Sequence, residues 1–294
     1  MSLKVGTRGS RLAMAQTNRV CNMLKENGIE TEIVIIKTVG DDKTNVPLHK
    51  VGGQGIFVRA LDDAIINGEV DFAVHSMKDI PAKRPEGVMT CAVLKRDSPC
   101  DFLVHKCPLE EIKIVGTSST RRKAQLLRGN LHPEIRELRG NVDTRLRKLE
   151  NKEYDAIVLA EAGMERLGLK LPGTKLIPQW YVPSPNQGII AVVCRNDPEL
   201  SSILSVLNDP ATKRDAEVER AVMEEIGGGC FTPQGVYCCD GFLIAEVLSL
   251  DGKRYERIED NGETAEEGRL VGQKLRSIAY DLIEEARLSL GINE

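Results

Sequence analysis

At 294 residues, 41% of them hydrophobic, the chain is long enough for two domains or a little more with real cores, which excludes a disordered protein. Its 40 Lys and Arg against 44 Asp and Glu leave a net charge of −4, so no global basic field is present to hold nucleic acid. No stretch approaches the roughly 18 apolar residues of a membrane span and the N-terminus lacks an apolar signal core, so a cytoplasmic address without membrane contact is expected.

Leu3 to Val5 reads as a short strand, and Ser10 caps a helix from about Arg11 to Glu26 that Asn27-Gly28 stops. Glu32 to Thr38 is the next strand. Residues 40 to 55 are polar and glycine-rich without a period, which predicts a long mobile loop over a ligand site. Phe57 to Asn67 has helical spacing, and Phe72 to Val74 starts a strand ending at His75. Alternating strands and helices predict parallel βαβ units. A second lobe repeats the scheme: strand Lys113 to Val115, capped helix Thr120 to Leu127, strand Ile135 to Leu138, helix Val142 to Leu149, strand Ala156 to Leu159. Gly188 to Cys194 is a further apolar strand, with a helix near Leu200 to Leu207. It is expected to return to the first lobe, giving two crossings and therefore a hinge. From about Ala211 the texture changes: a helix to Ile226, strand-like runs over 235 to 239, 242 to 250 and 253 to 260, and one long helix from Thr264 to Leu288. These form a separate α+β domain.

The eight cysteines form no CxxC pair and sit in apolar or helical contexts, as reduced thiols do. Cys100, His105 and Cys107 fit no common zinc spacing, so no metal is expected.

Two segments echo each other. Val5-Gly6-Thr7-Arg8-Gly9-Ser10-Arg11 returns as Val115-Gly116-Thr117-Ser118-Ser119-Thr120-Arg121, each after an apolar approach and before a helical run. Hydroxyls, backbone N–H groups and arginine at a strand-to-helix turn suit an anion, and two such lobes suggest a cleft for a polyanionic ligand. Arginine is concentrated at Arg8 and Arg11, at Arg121 and Arg122, and at Arg139 and Arg145. The two-pronged fit of guanidinium to carboxylate favours a ligand with several carboxylates; phosphate stays open, though no GxxxxGK[ST] loop occurs, and ordinary surface arginine is the bland alternative.

His75-Ser76-Met77-Lys78-Asp79 lies just beyond a buried strand, where α/β folds place ligand contacts. Asp79, fixed among arginines, can stabilise a cation that develops during reaction or hold a pyrrole-like N–H; a helix cap or salt bridge is its bland reading. His75 reads as a satisfied core histidine. Three glycines before Cys230 could present its thiol for a one-time covalent attachment, against the plainer reading of a tight turn with a buried cysteine.

Taken together, Gly6-Thr7-Arg8 with Ser10 and Gln16, Lys50-Val51-Gly52-Gly53 with Gly55 and Phe57, Val74-His75-Ser76-Met77-Lys78-Asp79 with Pro81, Gly116-Thr117-Ser118-Ser119 with Arg121-Arg122, Leu138-Arg139-Gly140-Asn141-Val142 with Thr144-Arg145, and Gly228-Gly229-Cys230 fall in one order. That series resembles the porphobilinogen deaminase (hydroxymethylbilane synthase) family from Gly6 almost to the C-terminus. The resemblance implies an α/β fold of two periplasmic-binding-protein-like lobes with a hinge, plus a C-terminal α+β domain with a three-stranded sheet. The divisions would be 1–95 with 189–208, 96–188, and 211–294. It implies a transferase that condenses four porphobilinogen molecules with loss of ammonia, primed on a dipyrromethane cofactor joined by thioether to Cys230, and releases hydroxymethylbilane for tetrapyrrole biosynthesis. Asp79 would balance the positive charge on pyrrole nitrogen. Cofactor contacts would be Ser10, Lys78, Thr117, Ser118, Ser119, Arg121, Arg122, Arg139, Gly140 and Arg145; substrate contacts would be Arg8, Gln16, Lys50, Phe57, Ser76, Arg166 and Gln187. A monomer is expected.

The chain departs from the family pattern at Gln54, where many members have lysine, at Gly227, where bacterial members have an acidic residue, and in Ser184-Pro185-Asn186-Gln187-Gly188. The competing class is a non-catalytic solute-binding or sensing protein with the same lobes. Ammonia release on adding porphobilinogen separates the two.

Overall fold

The computed structural model describes residues 2–37, 56–82, 84–129, 132–227 and 231–291. The chain clusters into two compact units, one of Met1–Asp97, Arg166–Gly168 and Gly188–Lys213, the other of Ser98–Glu165, Leu169–Gln187 and Arg214–Glu294. Among the described residues, no helix is long and apolar enough to cross a membrane.

Unit 1 is built on β1 (Ser2–Thr7), β2 (Glu30–Ile35), β3 (Phe72–Ser76), β4 (Val88–Val93) and β10 (Ile190–Arg195), in the order β2-β1-β3-β10-β4. The first three are parallel, as alternating βα segments require. β10 joins this sheet as the expected returning strand and runs antiparallel between β3 and β4, a direction the sequence had left open. A strand that returns from elsewhere in the chain needs no crossover helix, so either direction is open to it. Ile190 to Cys194 is buried throughout, which explains why it reads as an apolar run and not as an alternation. The helices are α1 (Arg11–Glu26), α2 (Ile56–Ile66) and, after β10, α6 (Pro198–Leu204) with a 3-10 turn at Ser205–Leu207. On α1 the Ser10 side chain accepts from Ala13 N, and Gln16, Thr17, Val20 and Leu24 turn inward. Fully burying a side chain such as Leu24 contributes about 1.5–3 kcal/mol.

Unit 2 holds a second five-stranded sheet, β7-β6-β8-β5-β9, formed by β5 (Asp101–His105), β6 (Ile114–Gly116), β7 (Glu134–Arg136), β8 (Ala156–Ala160) and β9 (Gly173–Leu176). β6 is parallel to β7 and β8, while β5 is antiparallel to β8 and β9. Its helices are α3 (Thr120–Arg128), α4 (Val142–Glu150) and α5 (Glu161–Arg166), the last residue of which belongs to unit 1. The same unit contains the antiparallel sheet β11 (Gln234–Cys239), β12 (Phe242–Leu248) and β13 (Tyr255–Asn261), with all but the first turn of α7 (Pro210–Ile226), and with α8 (Ala265–Ile278) and α9 (Tyr280–Ser289). The single helix expected over 264 to 288 is two. Ala279, fully buried with φ −99° and ψ 13°, breaks it, and Leu282 and Ile283 then join Val271 and Leu275 in one core. Gly227 closes α7 with φ +70°, a left-handed position that favours glycine, so its departure from the family pattern has a backbone reason.

Candidate active site

The register of unit 1 creates the site. β1 and β3 are parallel neighbours, with Val5 opposite Phe72 and Gly6 opposite Ala73, so their C-terminal ends leave the sheet at one edge. That is where α/β sheets bind ligands. From β1 the chain runs through Arg8 to the capping Ser10; from β3 it runs through His75 and Ser76 into a 3-10 turn, Met77–Asp79. Gly6 keeps the approach close, because a Cβ there would sit 3.1 Å from Val70 and 3.2 Å from Leu61.

A pocket of about 90 Å³ opens at this edge, lined by Arg8, Ser10, Gln16, His75, Ser76 and Asp79 over apolar walls. Gln16 Nε2 donates to Ser76 Oγ at 2.8 Å and ties the two strand ends together. Asp79 is exposed and has no hydrogen-bond or ion-pair partner among the described residues, so its carboxylate is available. His75 is 6% exposed, yet its Nε2 has no partner among the described residues. It is therefore buried but not satisfied, contrary to the expectation of a satisfied core histidine. Burial first, then the guanidiniums of Arg84 and Arg8, push it down to about 3, so the imidazole is neutral.

The second echo folds the same way locally and does something else. At the end of β6, Thr117 Oγ1 accepts from Ser119 N at 3.2 Å, Ser118 Oγ donates to Leu138 O at 2.8 Å, and Ser119 caps α3. Arg121 and Arg122 turn inward onto Asp101, which is 1% exposed. Arg121 Nη2 reaches Asp101 Oδ2 at 2.8 Å, and Arg122 Nη2 reaches Oδ1 at 2.6 Å. Gln187 Nε2 adds a bond to Oδ1 at 2.9 Å. Arg121 Nη1 also donates to Gln125 Oε1 and Val182 O, and Arg122 Nη1 to Val158 O. Burial alone would raise the Asp101 carboxyl, but Arg121 and Arg122 outweigh it and hold it well below the usual carboxylate range. Gln125 Nε2 continues the network to Glu246 on β12, fully buried and paired with Arg128 at 2.8 Å.

The other expected contacts are spread more widely. Arg139 pairs with Glu137 at 2.5 Å, and Arg145 Nε donates to the carbonyl of Gly140, whose φ of +113° favours glycine. Arg166 belongs to unit 1, where it bonds Asp97 at 2.8 Å and the Gly188 carbonyl at 2.7 Å. Lys78 is half-buried on the 3-10 turn. Lys50, Gln54, Cys230 and the whole of the expected mobile loop, residues 40 to 55, lie outside the described residues, as does the side chain of Phe57. Sequence reasoning missed Asp101, Arg84 and Glu246. The available signal was a charge embedded in an apolar strand, as in Asp101-Phe102-Leu103-Val104 and Ala245-Glu246-Val247.

A family model described as porphobilinogen deaminase, dipyromethane cofactor binding domain, matches residues 3–202, and one described as porphobilinogen deaminase, C-terminal domain, matches residues 213–280. A "Probable porphobilinogen deaminase" of Methanosarcina acetivorans is 48% identical over 305 residues, covering 98% of this chain and 96% of that one. Another, from Archaeoglobus fulgidus, is 49% identical over 292 residues, covering 95% and 99%. Among solved structures, a periplasmic substrate-binding protein of an ABC transporter from Coxiella burnetii is similar at TM-score 0.42 and 16% identity, covering 72% of this chain and 94% of that one. That likeness is too distant to bear on what the chain does.

Proposed function

The chain belongs to the porphobilinogen deaminase family, and from that premise we propose that the unit 1 pocket is where its pyrrole substrates react. The enzyme is a transferase that condenses porphobilinogen with loss of ammonia to hydroxymethylbilane, and its cofactor is dipyrromethane. The observation that carries the site is Asp79: an available carboxylate at the rim of a pocket whose other polar groups are Arg8, Ser10, Gln16, Ser76 and a neutral His75.

The pocket's chemistry suits pyrroles bearing acetate and propionate arms. Arg8 and the Ser10 hydroxyl offer donors to carboxylates, Asp79 offers an acceptor to a pyrrole N–H, and the unpartnered His75 nitrogen leaves hydrogen-bonding capacity unfilled. Dipyrromethane, when bound, supplies the nucleophilic pyrrole carbon that starts the chain. Asp79 then acts as a fixed negative charge, stabilising a pyrrole nitrogen as it becomes cationic, because that charge is present only in the transition state and intermediate. Gln16 and Ser76 hold the two strand ends in place. In unit 2 we assign the carboxylate arms to Arg139, Arg145, Gly140 and the Thr117–Ser119 turn, with Arg121, Arg122 and Gln187 acting through the Asp101 network that fixes that turn.

The same proposal takes Cys230 as the attachment point, Lys50, Phe57, Lys78 and Arg166 as further ligand contacts, residues 211–294 as a third domain, and the protein as a cytoplasmic monomer. Intact-mass measurement tests the attachment. Wild type should carry an added mass equal to two pyrrole units, and Cys230→Ser none. Unmodified wild type that still makes bilane would refute it.

A further inference from the structure

Two groups at or near the unit 1 pocket, a buried histidine and a half-buried arginine, have no part in the chemistry so far, and both keep unused hydrogen-bonding capacity among the described residues. His75 lines the pocket beside Asp79, and its Nε2 is unpartnered among the described residues. Arg84, a few residues past the 3-10 turn, forms a buried ion pair through Nη2 with Asp62 of α2, while its Nε and Nη1 find no partner among the described residues. Buried polar nitrogens in native proteins are nearly always bonded, so an unbonded one in a residue that lines a pocket marks a place for a ligand atom.

The charges around His75 decide its state. Arg8 faces it from the end of β1 and Arg84 from the segment beyond the turn, both raising the cost of a proton. Asp79 lies at the far end of the turn with Lys78 beside it, and Asp62 on α2 is committed to Arg84. The partner strand β10 presents Ala191 opposite His75 and adds no charge. An imidazolium here would be a buried third cation, and the group is pushed down to about 3. So weak a base cannot usefully take a proton near neutral pH. What a neutral imidazole can offer is one N–H or one lone pair.

We propose that His75 is an uncharged ligand-binding residue of this pocket, its Nε2 bonding the porphobilinogen-derived ring, and that Arg84 is a positioning residue that acts through His75 by keeping it uncharged. The proposal rests on the family reading of the pocket. Its chemical sense lies in Asp79. An imidazolium in the same pocket would compete with the reacting pyrrole for that carboxylate, whereas a neutral imidazole leaves the full negative charge for the reaction.

Imidazole NMR on the cofactor-loaded full chain tests it, since the protein has only 4 histidines. The His75 ring should stay neutral from about pH 8 to about pH 5 and its Nε2 signal should move on adding porphobilinogen. In Arg84→Leu/Asp62→Leu, which removes both buried charges together, the His75 titration should move upward. The ratio of kcat/KM at pH 8 to that at pH 6 should rise with it, an acid limb that a purely structural defect would not create. His75→Leu should lower kcat/KM about 10-fold to 100-fold, with His75→Gln recovering much of the loss. An ordinary titration of His75 in wild type, a signal indifferent to porphobilinogen, or a His75→Leu enzyme of wild-type efficiency would each overturn the proposal. Ammonia release by wild type reports separately on the family reading, so the two failures are distinguishable.

Discussion

The strand-to-helix turn at Arg8 and the one at Arg121 start from the same residue pattern and end with opposite uses of polar groups. In unit 1 the turn borders a pocket where, among the described residues, Asp79 is available and His75 keeps an unbonded nitrogen. In unit 2 the donors of Arg121 and Arg122 are spent on Asp101, Gln125 and two carbonyls. A buried guanidinium whose bonds are closed within the protein is scaffold, whatever motif it stands in. Reactive capacity is the hydrogen bonding left over after folding.

The contrast breaks most readily at Asp101. Asp101→Ala leaves Arg121 and Arg122 buried without their carboxylate and should cost about 3–5 kcal/mol in urea unfolding; a loss under about 1 kcal/mol would mean that the network does not hold unit 2. Asp79→Ala should do the reverse. With no partner to lose among the described residues, it should unfold near the wild-type midpoint while turnover falls about 10²- to 10³-fold, and near-normal single-turnover rates would remove it from the chemistry. The smallest effect is on pH. The folded pKa of His75, about 3, lies below its unfolded value of roughly 6.5, so between them the unfolded chain holds the extra proton. Stability should therefore be full above about pH 6.5 and fall as pH drops, approaching about 1.4 kcal/mol per pH unit. His75→Gln should flatten that slope between pH 7 and 5.

Much of this was legible in the sequence. Ser10 as a cap, the buried strand ending near His75 and the apolar return strand all follow from periodicity and capping, and the ordered motifs carried the family. What escaped depends on partners distant in sequence. Nothing local reveals that Arg121 faces a carboxylate 20 residues away, or that β5, β4 and β9, short and without a clear period, complete the sheets. The break at Ala279 was hidden because alanine is a strong helix former; tertiary packing overrode its propensity. Nothing in the residues around Arg84 reveals its ion pair with Asp62, 22 residues away.

The place of β10 bears on how the protein is made. Unit 1 receives an interior strand only after residues 98–187 have been synthesised, since β10 pairs with both β3 and β4. A ribosome that has delivered the first 187 residues therefore holds a unit 1 whose β3 and β4 each present an unpaired apolar edge, a template for sticking to other chains. Such long-range closure slows folding. Unit 1 is begun first and completed late, and its most buried strand is also its last.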